Sequence, residues 1–181
     1  MRIRTITAAV LIGVAMVLGA GNAVADDADA CAHFNWDVSR ELAVMKQSPQ
    51  AIAAGKSADS MVQMQPERLY ELKLAPQNAV AYAVPPGKST LDDSAQGGLV
   101  HFRVTSAGAY RVSLSTAHWI DVVADGQLIK SRDFQGAHGC ERPHKIVEYE
   151  LPAGKELVLQ ISGATAPAVL VAITAVRPAA H

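Results

Sequence analysis

The sequence predicts a mainly β protein: an antiparallel β-sandwich, jelly-roll-like, with one N-terminal amphipathic helix. Three observations carry this expectation. From Arg68 onward apolar residues recur with a period of two, the spacing of half-buried strands. Turn chemistry punctuates those runs at regular intervals: Pro85-Pro86-Gly87, Ser106-Ala107-Gly108, Asp125-Gly126 and Pro152-Ala153-Gly154. The helical stretches between strands that a parallel α/β domain requires are absent. Eight or nine short strands at this spacing match a sandwich of two sheets.

Taken in order, residues 1–25 read as a secretory signal peptide. Arg2 and Arg4 form a positive start, Ala8–Ala20 an apolar run, and Ala23-Val24-Ala25 a small-x-small cleavage site before Asp26-Asp27. The apolar run is at the short end for spanning ~30 Å of hydrocarbon. No lipobox leucine precedes Cys31, and no twin-arginine pair occurs. A periplasmic or secreted bacterial location is therefore expected. Removing 25 of the 181 residues leaves 156, residues 26–181, enough for a single domain with a real core. Removing Arg2 and Arg4 from the 16 Lys and Arg residues leaves 14 against 17 Asp and Glu, a net charge of −3. That balance recruits neither nucleic acid nor an anionic membrane, and no span is expected after signal cleavage.

Val38, Leu42 and Met45 form an i, i+4, i+7 stripe, predicting a helix over about 37–47 that Asp37 starts and Pro49 stops. Phe34 and Trp36 are expected to anchor it. Residues 50–65 read as an irregular crossing with a short strand near Met61–Met64. The predicted inward faces then run Tyr70, Leu72, Leu74; Val80, Tyr82, Val84; Val100, Phe102, Val104; and Tyr110, Val112, Leu114. They continue through Ile120, Val122; Val147, Tyr149, Leu151; Leu157, Leu159, Ile161; and Val169, Val171, Ile173. Asp125-Gly126 between apolar runs is a hairpin signal, since both residues tolerate positive φ. Ser131–Lys145, polar and rich in reactive groups, reads as a loop.

Two cysteines in an oxidising compartment pair most simply as one disulfide, Cys31–Cys140, closing a loop of 109 positions. Loop-closure entropy assigns such a bridge ~4–5 kcal/mol. The rival is a Cys140 thiolate acting as ligand or nucleophile. For metal, His138-x-Cys140-x3-His144 holds His138 and His144 as ligands for zinc or copper, with His33, His101 or His118 joining through the fold. No Gly-x-Ser-x-Gly elbow occurs, and His118 and Asp121, three apart on a strand, point to opposite faces. For ligand binding, His118, Trp119, Asp121, Arg132, Asp133, Arg142 and His144 are expected to line one end of the sheets. There Trp119 offers a stacking face, and the Arg/Asp pairs offer hydrogen-bond forks for sugar hydroxyls or a carboxylate.

Two segments carry a resemblance. Phe102-Arg103-Val104-Thr105-Ser106-Ala107-Gly108-Ala109-Tyr110-Arg111-Val112-Ser113-Leu114, and Leu151-Pro152-Ala153-Gly154 before Leu157-Val158-Leu159, resemble the bacterial pre-peptidase C-terminal domain and related carbohydrate-binding-like sandwiches. The chain as a whole also resembles a group of small exported proteobacterial proteins, on Cys31-Ala32-His33-Phe34-Asn35-Trp36-Asp37-Val38-Ser39 and His138-Gly139-Cys140. Some of that group bear the name homogentisate 1,2-dioxygenase, which implies a cupin more than twice this length with non-haem iron on two histidines and a carboxylate. The cupin's His-x-His followed by glutamate is missing, and His138-x-Cys140 puts cysteine where the second histidine belongs. The leading expectation is a non-enzymatic periplasmic module, without a cofactor, that binds a small polar ligand or an envelope protein. The alternative is a metal-dependent oxidoreductase of the dioxygenase kind, with zinc, copper or iron.

Overall fold

The computed structural model describes residues 31–88, 92 and 94–176. The expected signal peptide lies outside the described residues. Twelve strands are present among them: β1 (Gln50–Ala53), β2 (Val62–Gln63), β3 (Leu69–Lys73), β4 (Ala75–Pro76), β5 (Gln96–Phe102) and β6 (Gly108–Leu114), then β7 (Trp119–Ala124), β8 (Gln127–Ile129), β9 (Ser131–Gly136), β10 (Lys145–Leu151), β11 (Leu157–Ala164) and β12 (Ala168–Ala175). One α-helix, α1 (Ser39–Met45), precedes them.

The strands form two sheets, ordered β1-β3-β12-β6-β10-β9 and β2-β5-β11-β7-β8, with β4 pairing β5 outside that path. Within them, β3-β12-β6-β10 opposes β5-β11-β7-β8. Among these eight, successive strands switch sheets at every step except the β7–β8 hairpin, which is the interleaved order of a jelly roll. Those eight strands pair antiparallel. Two short additions do not: β1 runs parallel to β3 and β2 parallel to β5, so both sheets are mixed. Residues 50–65 thus hold two strands rather than a bare crossing with one.

Periodicity identified the core residues because each strand buries one face. Val100, Phe102, Val104, Tyr110, Val112, Leu114, Ile120 and Val122 all enter one buried cluster, as do the alternating residues of β10, β11 and β12. Each large apolar side chain fully buried there stabilises the fold by about 1.5–3 kcal/mol. Asp125 (φ +52°) and Gly126 (φ +73°) close the β7–β8 hairpin, with Val122 opposite Ile129.

The expected strand over Val80–Val84 does not form. That segment is a strap across the outer face of the β5-β11-β7 sheet, held by side chains instead of a ladder. Gln160 Nε2 donates to Val84 O at 3.2 Å and its Oε1 accepts from Val84 N at 3.1 Å. Tyr82 Oη donates to Ile161 O at 3.1 Å. The predicted loop at Ser131–Lys145 is also corrected: its first six residues are β9, antiparallel to β10 at the sheet edge. An edge strand with one face to solvent keeps polar residues, which concealed it.

The helix covers the outer face of the other sheet. Val44 and Met45 pack on Leu69 and Ala172. Asp37 Oδ1 accepts from Ser39 N at 3.0 Å, the start expected for the helix. Beneath it lies a buried ion network. Arg111 Nε donates to Glu148 Oε2 at 3.1 Å and its Nη1 to Asp37 O at 2.8 Å. Glu41, 1% exposed, accepts from Thr174 Oγ1 at 2.8 Å and lies 3.6 Å from Arg111 Nη1. Trp36 stacks over the Arg111 guanidinium at 4.4 Å. The segment is tied at its start by the Cys31–Cys140 disulfide. Among the described residues, no helix is long and apolar enough to cross a membrane.

Candidate functional site

The seam between the sheets opens where the chain leaves β8, crosses at Lys130 and enters β9. β8 ends one sheet and β9 ends the other, so among the described residues no strand closes the gap between them. A cleft of about 390 Å³ results, with a volume typical of small-ligand sites. Its walls are largely apolar and include Trp119, Leu128, Phe134 and Tyr149. Leu128 is 44% and Phe134 66% exposed, large apolar surfaces left open at the mouth.

Three charged residues line this cleft: Lys130, exposed at the crossing, and Asp121 and Lys145. Asp121 follows Trp119 by two on β7, so both occupy the same side of the strand. Asp121 Oδ2 accepts from the Trp119 Nε1–H at 3.0 Å and from Gly87 N at 2.9 Å. The carboxylate therefore fixes the indole and pins the end of the strap. Lys145 stands two residues before Val147 and four before Tyr149 on β10, in the inward phase. Its Nζ donates to His118 O at 3.0 Å and sits 5.8 Å from the Trp119 ring centre and 6.0 Å from that of Phe134. Burial pushes the Lys145 pKa down, and Lys88 pushes it further, against an opposing pull from Asp121. Tyr149 Oη donates to Ile120 O at 3.2 Å, and burial raises its pKa.

The expected ligand set is divided among three places. Trp119 and Asp121 line the cleft, and His118 supplies it a backbone carbonyl. The His118 ring is buried elsewhere, with Nδ1 2.8 Å from Thr116 Oγ1, and its pKa falls to about 4 through burial and the nearby charges of Lys145 and His144. Arg132 turns to the outer face of its sheet, 2.9 Å from Glu150 and 3.8 Å from Glu148. Asp133 Oδ1 accepts from the next backbone N–H, that of Phe134, at 2.8 Å. Arg142 and His144 border a separate open hollow of about 500 Å³ with Ser115, Thr116 and Leu170.

Cys140 spends its sulfur on the disulfide with Cys31, at 2.06 Å. His138 and His144 lie edge to face, ring centres 6.3 Å apart. Among the described residues, no three His, Cys, Asp or Glu side chains gather closely enough to share a metal ion. The two-histidine, one-carboxylate set that iron of the dioxygenase kind requires therefore does not fit the residues present.

Sequence reasoning missed Lys145 and Phe134. Lys145 was visible by extending the inward phase of Tyr149 and Val147 back one step. Phe134 was not, because its segment has the polar composition of a loop. By fold the protein is a jelly-roll β-sandwich with a cleft at its open seam. Comparison with models of known protein families and with curated proteins found no match for the chain.

Proposed function

We propose that this protein is an exported, non-catalytic β-sandwich module that uses the seam cleft to bind a small ligand or a projecting group of an envelope protein. One observation carries the reading: an apolar cleft of about 390 Å³ with exposed Leu128 and Phe134 at its mouth and an ammonium inside. Binding is favoured over catalysis because the carboxylate and the phenol in the cleft are already committed. Asp121 holds Trp119 and Gly87, and Tyr149 holds Ile120 O. Each is tied to scaffold and not poised to exchange a proton with a substrate. Export is supported by the disulfide, which persists in oxidising compartments, and by the signal-like residues 1–25.

A fragment library screened by amide and indole chemical shifts tests the cleft. Hits are expected to cluster at Trp119, Gly87 and Phe134, and Trp119→Ala is expected to remove them. A screen whose hits avoid these signals would refute the reading. Terminal sequencing of the exported protein, expected to begin at Asp26, tests the location separately.

A further inference from the structure

A lysine in the inward phase of a sandwich strand is costly to keep, because burial strips water from its charge. In this cleft the cost is only partly met. An ammonium carries three N–H donors. Lys145 Nζ places one on His118 O at 3.0 Å, and among the described residues it makes no other hydrogen bond. Among the same residues no carboxylate lies within 4.0 Å of it, the reach of an ion pair. Asp121, the acidic group in the cleft, spends Oδ2 on the Trp119 indole and the Gly87 amide. Trp119 and Phe134 present rings 5.8 and 6.0 Å from Nζ, which attract the cation without neutralising it.

We infer that the ligand is a monoanion on an apolar body, its carboxylate-class head paired with Lys145 and its body laid against Trp119, Phe134 and Leu128. This rests on the reading of the cleft as a binding site and names the chemistry it selects. An anion supplies the acceptors that Lys145 lacks, at a half-buried ammonium, so the hydrogen bond is charge-assisted. A cation meets Lys145 and the nearby Lys88 with repulsion. A neutral polar head leaves the ammonium desolvated and unpaired. The depressed Lys145 pKa accords with this, since an anion at Nζ favours the charged form. The apolar body follows from the exposed Phe134 and Leu128, which a hydrocarbon or aromatic group removes from water.

The test uses two bodies and three charges: 3-phenylpropionate and octanoate, each beside its amide and its amine, titrated into the disulfide-intact protein. The Trp119 indole and Gly87 amide shifts report occupancy. At least one carboxylate is expected to bind tenfold or more tighter than its amide, with the amines weaker still, and Lys145→Met is expected to bring the carboxylate to the amide's level. The charge comparison is made on unaltered protein, so it stands even if Lys145→Met fails to fold. Amides or amines that bind as well as carboxylates at Trp119 overturn the inference and leave the cleft reading intact. Probes of all three charges that leave Trp119 and Gly87 unmoved overturn both. A carboxylate preference that survives Lys145→Met in a folded variant overturns the assignment of the head to Lys145.

Discussion

His118 makes the stability of this protein pH-dependent in the mildly acid range. Its ring is buried, Nδ1 faces Thr116 Oγ1 at 2.8 Å, and Nε2 has no hydrogen-bond partner among the described residues. Protonation would bury a second donor with nothing to receive it. The folded-state pKa accordingly drops from 6.5 to about 4, through burial first and then through Lys145 and His144. Because the folded value lies below the unfolded one, the unfolded chain binds the proton more readily between them. The stability is present in full above the ordinary pKa and is lost as pH falls through the window. Between pH 7 and pH 5 the loss is about 2 kcal/mol. The carboxylates with resolved shifts, Asp37 and Asp92, are depressed, and titrate below this range. Urea denaturation at pH 7 and pH 5, on wild type and His118→Asn, isolates the histidine. Asparagine keeps a polar atom for Thr116 but does not titrate. Wild type is expected to lose about 2 kcal/mol more than the variant over that interval. Parallel profiles for the two proteins would refute the argument.

Leu159→Ala, at a fully buried position facing the core, is expected to cost about 2–5 kcal/mol in chemical denaturation. A loss below half a kcal/mol would contradict its inward face. Thiol titration of the denatured protein is expected to find no free cysteine. Reduction is expected to lower the melting temperature clearly, since the bridge spans 109 positions. Asp121→Ala leaves the Gly87 and Trp119 N–H groups without their shared acceptor. It is expected to cost about 2–3 kcal/mol and to free the strap near Gly87, seen as faster amide exchange. Arg142→Ala, at an exposed position, is expected to change stability by less than about half a kcal/mol. If it leaves ligand shifts in the cleft unchanged, the hollow beside His144 takes no part in binding there.

Strand alternation determined by itself which residues would turn inward. Val112, Leu159 and Ile173 needed no partner to be recognised, because a period of two encodes the face of a strand locally. The Asp125-Gly126 turn was equally local, and the Cys31–Cys140 pairing followed from the sequence having two cysteines. Alternation does not encode what covers the opposite face. Arg111 reads as an outward, solvated residue, yet α1 and Trp36 bury it with Glu41 and Glu148. Val80–Val84 has the pattern of a strand, yet Gln160, 76 positions from Val84, takes its backbone groups and makes it a strap. The site was hidden for the same reason. Trp119 and Asp121 are adjacent in phase and were legible together, but Arg132, on a strand eleven residues later, faces the opposite side of a different sheet. Lys145 and Phe134 meet only because β9 pairs with β10 in the register that sets Phe134 opposite Val147. Which strand lies beside which is decided by long-range ladders, and the cleft exists because two of those ladders end at the same seam.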